Sequence, residues 1–279
     1  MNKKSFIFTF AFLVAMSLFS CKPDNEPETS KLPKIFIETE NNAEVVSKES
    51  WLNATFTFED ETGKYPNLNA VETQIRGRGN ATWNLPKKPY RLRFPSSNLV
   101  PLFGLTPARN WVLLAFYQDV TFLVNPIGYE LSRRLANDNS FFSHHSFHIE
   151  LYMNGVYQGI YMVTEHNEIA PGRVDIPADN NSLLIEIDQY FDEPYKFKSD
   201  VLSLPVMIKH PESDYGVESA KTIINELEAL LFTDDYLNNW NAITDIVDIN
   251  SLINYTPFTY TRKDLIPTYF QGYSYTNGY

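Results

Sequence analysis

Apolar and polar residues alternate along much of the first half of the chain, which is the pattern of half-buried β-strands. Ala54, Phe56 and Phe58 would share one face of such a strand, with polar residues on the other face. A similar alternation or a short apolar run predicts five strands, at residues 34–38, 52–58, 71–75, 89–94 and 110–117.

The spacing of apolar residues changes to a helical one after Asn125. Asn125 is a suitable N-cap, and Pro126 fits the first helical turn, where its missing N–H costs nothing. Asn154-Gly155 predicts a β-hairpin, because this dipeptide favours the tight turns that join antiparallel strands. The remaining patterns predict strands at 147–153, 156–164, 182–188 and 205–209, and helices at 125–137, 217–232, 234–240 and 248–255. The sequence therefore predicts an α+β fold with a two-lobed outline.

The N-terminus has the pattern of a lipoprotein signal peptide. A short basic start precedes an uncharged apolar run, which ends at Ser20-Cys21, a fair match to a lipobox. We expect cleavage after residue 20, lipid on Cys21, and an acidic, proline-containing tether over residues 21–31. The alternative is an ordinary signal peptide with a chance cysteine. The lipoprotein interpretation predicts a membrane partner and a place in the outer membrane or on the surface of a gram-negative bacterium.

Composition excludes some classes of function. The chain is 43% hydrophobic, which suits a globular protein, and its net charge of −11 argues against nucleic acid as a partner. Cys21 is the only cysteine, so neither an intramolecular disulfide nor a Cys–His catalytic pair is expected once it carries lipid.

Two small groups of polar residues have metal-binding side chains. His144, His145 and His148 invite a metal interpretation, but no accompanying motif supports it, and a structural role is preferred. Glu186 and Asp188 share one face of a predicted strand and suit either Mg²⁺ binding or a solvated strand end, of which the second is preferred.

Several separate motifs occur in a specific order along the chain. They read IRGRGNATW at 75–83, KKPYRLRF at 87–94, NWVLLA at 110–115 and LYMNGVYQGIY at 151–161. Together they resemble the signature of the spore-coat protein H (CotH) kinase family, over about residues 31–255.

This resemblance implies an atypical protein-kinase-like fold, with an N-terminal antiparallel-sheet lobe carrying one helix and a helical C-terminal lobe. It also implies transfer of the γ-phosphate of ATP to Ser or Thr of secreted proteins, with Mg or Mn as the metal. A kinase small lobe needs a lysine for the phosphates and a glutamate that orients it. Lys88, with Lys87 as second choice, and Glu130 are the candidates for this pair.

Two further nucleotide-binding residues are expected, and each candidate has a structural alternative. Arg78 lies in the glycine-containing loop 76–80, which equally suits a tight turn with glycine at positive φ, and Glu165 lies where a hinge between the lobes would start. Glu130 equally suits an ordinary surface ion pair with Arg134, four residues along the helix.

The end of the chain departs from the family pattern. Pro257 interrupts the expected helix, a tyrosine-rich tail follows over 256–279, and the expected catalytic aspartates are not found, so the catalytic residues are unknown. Val124 stands where a basic residue is expected. The sequence therefore predicts a small lobe over 32–166, a partial second lobe over 167–255, and an aberrant tail from a frameshift or truncation. We expect an inactive chain from an active parent, or alternatively a non-catalytic surface lipoprotein that binds a protein or glycan.

Overall fold

Seven strands of the N-terminal part close into a barrel. The computed structural model describes residues 31–135, 142–234, 236–249 and 273–276. The barrel strands are β1 (Lys34–Thr39), β2 (Leu52–Glu59), β3 (Leu68–Gly77), β4 (Tyr90–Arg93), β5 (Asn110–Leu114), β6 (Phe147–Met153) and β7 (Val156–Glu165). Their order around the barrel is β1-β2-β3-β4-β5-β7-β6.

The barrel closes through one parallel pair. All other neighbouring barrel strands are antiparallel, whereas β1 runs parallel to β6, with Lys34 opposite Glu150 and Ile37 opposite Met153. The expectation of a purely antiparallel N-terminal sheet is therefore wrong at this pair. Closure removes the free edges that an open sheet of these strands would leave.

Alternating apolar side chains fill the barrel, as the sequence pattern predicts. Trp111 and Tyr161 are among its largest fully buried side chains, and Phe56 and Phe94 pack edge to face at 5.2 Å. The core includes Ile35, Ile37, Phe56, Phe58, Ile75, Leu92, Phe94, Leu102, Trp111, Leu113, Ile149, Leu151, Tyr161 and Val163.

The Asn154-Gly155 turn is confirmed as the hairpin between β6 and β7. Both residues have positive φ, 49° and 74°, as the tight hairpin turn requires. Asn154 also holds β1, because its backbone N–H donates to Ile37 and its side-chain oxygen accepts from the backbone N–H of Thr39 at 2.8 Å. The turn therefore helps to close the barrel.

The first helix, α1 (Val124–Leu135), follows the barrel strand β5 in the chain. It begins one residue before the predicted cap Asn125, and the Asp119 carboxylate accepts from the backbone N–H of Val124 at 3.0 Å. This side chain binds one of the N–H groups that a helix start leaves without a partner. Asn125 therefore lies inside the helix, and the observed side-chain acceptor at its start is Asp119.

A second sheet and two helices follow the barrel in sequence. The sheet contains β8 (Ser182–Ile187), β9 (Lys196–Lys198), β10 (Pro205–His210) and β11 (Tyr273–Thr276), in the order β11-β8-β10-β9. Helix α2 (Asp214–Leu231) is capped by Ser213 and packs on this sheet through Ala220, and α3 (Trp240–Ile246) follows. The predicted helix at 234–240 is wrong, since α3 begins at Trp240. β9 and β11 were not predicted.

The described elements belong to one compact unit, Pro33–Tyr279. The chain is thus a mixed α/β protein with a closed barrel and a separate four-stranded sheet. The predicted signal peptide, Cys21, nearly all of the tether and most of the helix predicted at 248–255 lie outside the described residues. Across the segments that are described, no helix has both the length and the apolar character needed to cross a membrane.

Candidate functional site

Arginines crowd the outer face of the barrel where β3 and β4 pair. Arg76 lies directly opposite Arg91, and Arg93 follows two residues later on the same face of β4. Arg109 lies just before β5 and donates through Nε to the carbonyl of Phe94. Like charges directly opposite one another on a sheet are destabilising, so this arrangement needs compensation.

Trp51 supplies part of that compensation. Its ring lies 4.1 Å from the guanidinium carbon of Arg93, 4.7 Å from that of Arg76 and 5.7 Å from that of Arg91. A cation over an indole face is attracted by the ring quadrupole. One aromatic side chain therefore holds three guanidinium groups together.

Acidic partners are missing from this face. Within the described residues, no carboxylate oxygen lies within 4.0 Å of Arg76, Arg91, Arg93 or Arg109. The Nε of Arg76 is buried, and no described residue forms a hydrogen bond with it. Burial lowers the pKa of Arg91 to about 10, and the charges of neighbouring arginines add to this effect. The face is thus an electrostatically unsatisfied site that an anion would stabilise.

A hydrogen-bond chain connects this face to the segment after β7. Arg91 donates to the side-chain oxygen of Asn110 at 3.0 Å, and Asn110 donates to Glu168 at 2.5 Å. Glu168 also lies 3.4 Å from the Nε of Arg173, which is almost fully buried and whose guanidinium stacks on Trp111 at 4.6 Å. Arg173 Nη2 is buried and has no hydrogen-bond partner.

Several cations act on the ring of His166, just after β7. Burial lowers the pKa of His166 well below its ordinary value, and the charges of Arg91, Arg78 and Lys209 lower it further. Lys209 on β10 pairs with Glu186 at 3.1 Å and with Glu193. The arginine face and the second sheet therefore both contribute positive charge near the end of β7.

The two predicted lysines lie just before β4, and each ammonium donates to a different backbone carbonyl. Lys88 Nζ donates to the carbonyl of Trp83 at 2.7 Å. Lys87 Nζ donates to the carbonyl of Ile160 at 2.5 Å and lies over the ring of Tyr161, and burial lowers its pKa.

The structure does not bring Lys88 and Glu130 together. Glu130 on α1 forms ion pairs with Arg133 and with Arg134, the latter at 2.7 Å. The predicted Lys88–Glu130 pair is therefore not formed, and Glu130 has the surface ion pair that was its structural alternative.

Glu165 is buried at the end of β7 and is held by His145. The two residues are joined by a side-chain contact at 2.7 Å and by a hydrogen bond from the His145 backbone N–H at 2.8 Å. Arg78, in the loop after β3, acts electrostatically on His166 and on His144. Of the predicted nucleotide-binding residues, Arg78 acts on the same histidine, His166, as Arg91 of the arginine face.

The loop 76–80 also has the structural properties predicted as its alternative. Gly79 has φ of +83°, which favours glycine. A Cβ on Gly77 would lie 2.3 Å from the ring of Trp83, so this position needs glycine because of close packing.

Both possible metal-binding groups contain side chains that bind other residues of the same chain. His148 bonds through Nε2 to the carbonyl of Phe122, and the acidic Glu186 is paired with Lys209. Asp188 accepts from the backbone N–H of Tyr190 at 3.2 Å. In the part of the chain that the structure describes, no three His, Cys, Asp or Glu side chains form a possible metal site.

Sequence reasoning missed Trp51, Asn110 and Arg173. The alternation of Arg91 and Arg93 with apolar residues was visible in the sequence and could have located the face. The net charge of −11 gave no indication of this face, because net charge does not report how charges are distributed over the surface.

The fold and the site define a mixed α/β protein with a closed barrel and an anion-attracting face. The family model described as CotH kinase protein matches residues 75–260, and the chain belongs to that family. The match begins at β3 and includes the loop 76–80, β4 and the segment after β7. No curated protein matches this chain.

Proposed function

We propose that the arginine face binds the phosphates of ATP, and that the intact parent of this chain transfers phosphate to Ser or Thr of secreted or surface proteins. The observation that carries the proposal is the Arg76–Arg91 pair, which lies inside the family match and has no carboxylate partner among the described residues. A triphosphate would supply the missing negative charge, and guanidinium groups bind phosphate oxygens in pairs.

The same proposal includes a two-lobed arrangement. The barrel, residues 32–166, would be the small lobe, and the second sheet with its helices, residues 167–255, would begin the large lobe. His166 and Glu168 follow β7 at the boundary, where a hinge would contact the adenine. The order of elements along the chain supports this division, since the barrel strands all precede the second sheet.

A divalent cation such as Mg²⁺ or Mn²⁺ would neutralise developing phosphate charge when bound. The described residues do not fit such an ion, because among them no three His, Cys, Asp or Glu side chains form a group that could hold it. Glu165 is held by His145, Glu168 by Asn110, and Glu186 by Lys209. No step through a metal is therefore derived from these residues.

For this chain itself the proposal is nucleotide binding without phosphate transfer. The departure from the family pattern over 256–279, where the catalytic aspartates are expected, supports the proposed loss of transfer. The chain would be exported, lipidated at Cys21 and held on a membrane surface, where secreted proteins would be its partners.

Calorimetric titration of residues 22–279 with ATP tests the proposal. We expect saturable binding that Arg91→Ala weakens about tenfold or more, because the variant removes a charged phosphate contact. Arg134→Ala is the matched control, since this arginine lies on α1 and pairs only with Glu130 in the structure. Absence of ATP binding, or equal binding by both variants, would refute the proposal.

Two further measurements test the finer parts. Incubation with radiolabelled ATP and Ser/Thr-containing secreted proteins should give no transfer by this chain, and transfer would refute its inactivity. Palmitate labelling in cells should depend on Cys21, and an equally labelled Cys21→Ser protein would refute lipidation at that residue.

A further inference from the structure

A polar groove crosses the outer face of the barrel beside the arginine face. It has a volume of about 770 Å³ and runs over strands β1 to β4. This volume is in the ~300–1,000 Å³ range of small-ligand sites. The side chains that line its floor and walls include Glu38, Glu40, Asn53, Thr55, Glu72, Gln74, Arg93 and Arg109.

Four of these side chains form a continuous hydrogen-bonded ladder. Asn53 Nδ2 donates to Glu40 Oε2 at 3.3 Å, and Gln74 Nε2 donates to Asn53 Oδ1 at 3.0 Å. Arg93 donates to Gln74 Oε1 through Nε at 3.1 Å and through Nη2 at 2.6 Å. The ladder crosses the sheet because Asn53 lies opposite Gln74, and Gln74 lies opposite Arg93.

The ladder retains unused hydrogen-bonding capacity. Each amide NH₂ has two hydrogens, and each carboxylate has two oxygens. Asn53 and Gln74 each use one amide hydrogen in the ladder, while Glu40 Oε1 and Arg93 Nη1 have no partner among the residues that the structure describes. A ligand in the groove would therefore meet donors and an acceptor in alternation over a few ångströms.

The Arg93 end of the ladder is held in place before any ligand binds. Arg93 is fixed twice, by Gln74 and by Trp51, whose ring lies 4.1 Å from the guanidinium carbon. The orientation of the Gln74 amide is then set by Arg93, and that of Asn53 by Gln74. Preorganised polar groups lose little side-chain freedom when a ligand binds.

The charges of the groove select against ions of either sign. Glu38, Glu40 and Glu72 lie towards β1 to β3, whereas Arg93 and Arg109 lie towards β4 and β5. A polyanion would be repelled at the acidic part, and a polycation at the basic part. A neutral ligand with many hydroxyl groups matches the alternating donors and acceptors without either penalty.

We propose that this groove binds a neutral oligosaccharide through the ladder of Glu40, Asn53, Gln74 and Arg93. Adjacent sugar hydroxyls both donate and accept, so they can pair with the free amide hydrogens of Asn53 and Gln74 and with the free oxygen of Glu40. The groove shares Arg93 and Arg109 with the arginine face, whereas the Arg76–Arg91 pair that carries the ATP proposal lies outside its lining. Such binding would attach the barrel to a polysaccharide.

Calorimetric titration of residues 22–279 with neutral hexasaccharides of glucose, xylose and N-acetylglucosamine tests this inference. At least one should bind, and Asn53→Ala and Gln74→Ala should each weaken that binding about tenfold. Gln158→Ala is the matched control, because this amide lies at the β6–β7 hairpin and bonds to the Val156 carbonyl. The melting temperature of each variant checks that the barrel is intact.

Three results would overturn the inference. The first is the absence of any heat of binding with neutral hexasaccharides at millimolar concentration. The ladder would then be an ordinary polar face of the sheet. The second is binding that Asn53→Ala and Gln74→Ala leave unchanged. The third is binding only of hexagalacturonate or of an acidic or basic peptide, which would assign the groove to a charged ligand.

Discussion

Glu165 accepts a hydrogen bond from the backbone N–H of His145 and contacts the Nδ1 of the same residue at 2.7 Å. Both carboxylate oxygens are therefore engaged by one residue, at the end of the barrel where β7 leaves it. Burial alone would raise the pKa of Glu165, but the hydrogen bond from His145 and the charge of His144 hold it below its ordinary value.

Replacement of this carboxylate should destabilise the barrel. Glu165→Gln keeps the shape of the side chain but removes the charge that His145 binds, and we expect a loss of about 1–3 kcal/mol in the free energy of unfolding. Urea unfolding followed by tryptophan fluorescence measures it. Glu212→Gln, at an exposed position, is the control, and equal midpoints for both variants would contradict a structural role for Glu165.

Stability should fall on acidification below pH 6.5. Burial of the ring lowers the pKa of His144 to about 4, although the charge of Glu165 opposes this shift. Between pH 6.5 and 4 the unfolded chain takes up a proton at this position that the folded protein does not. The contribution of His144 is thus fully present above pH 6.5 and is lost as pH falls, with a slope of at most about 1.4 kcal/mol per pH unit.

His144→Phe should flatten this pH dependence. Phenylalanine keeps the ring, which stacks on Tyr129 at 5.1 Å, but cannot take up a proton. Urea midpoints measured from pH 4 to pH 8 give the slope for each protein. His210→Gln, on β10, is the control. If this variant changes the slope as much as His144→Phe does, the pH dependence cannot be assigned to His144.

The glycine before Arg78 should tolerate no side chain. Gly77→Ala places a Cβ against the ring of Trp83, so we expect a loss of about 1–3 kcal/mol. Trp83→Ala should relieve the clash, and the double variant should therefore be more stable than the sum of the two single changes predicts. Thermal unfolding of all four proteins checks this. Strict additivity would show that Trp83 is not the obstacle.

Neutralising Glu130 should have little effect on stability or on ATP binding. Its side chain is 45% exposed and its ion pairs lie on the surface of α1, so Glu130→Gln should leave the urea unfolding midpoint almost unchanged. Its affinity for ATP, measured by calorimetry, should match that of the unchanged protein. A large loss of affinity would instead support the Lys88–Glu130 pair predicted from the sequence.

Local patterns were sufficient to predict most strands. The alternation around Phe56 and the turn at Asn154-Gly155 are determined by neighbouring residues, and both predictions are confirmed. Closure of the barrel was not predictable in this way. It depends on the pairing of β1 with β6, which are far apart in the chain, and no short pattern specifies such a partner.

The candidate site was harder to predict than the fold. Lys88 is two residues before Tyr90, so in a continuous strand the two side chains would share a face. It lies before β4 begins, however, and its ammonium donates to the carbonyl of Trp83. The alternation of side chains predicts which way a residue points only if that residue belongs to the strand. The arginine face depends on Trp51, whose contact with Arg76, Arg91 and Arg93 joins two segments that are separate in sequence.

The parallel pairing of β1 with β6 has a consequence for how the protein forms. One edge of β1 can pair with β2 at once, but the other edge must wait for β6, which follows most of the barrel in the chain. During that interval its hydrogen-bonding groups and apolar face are open to wrong partners. We therefore expect newly made chains to need a holding chaperone. A fragment beginning at residue 75, where the family match starts, should aggregate because it lacks β1, β2 and most of β3.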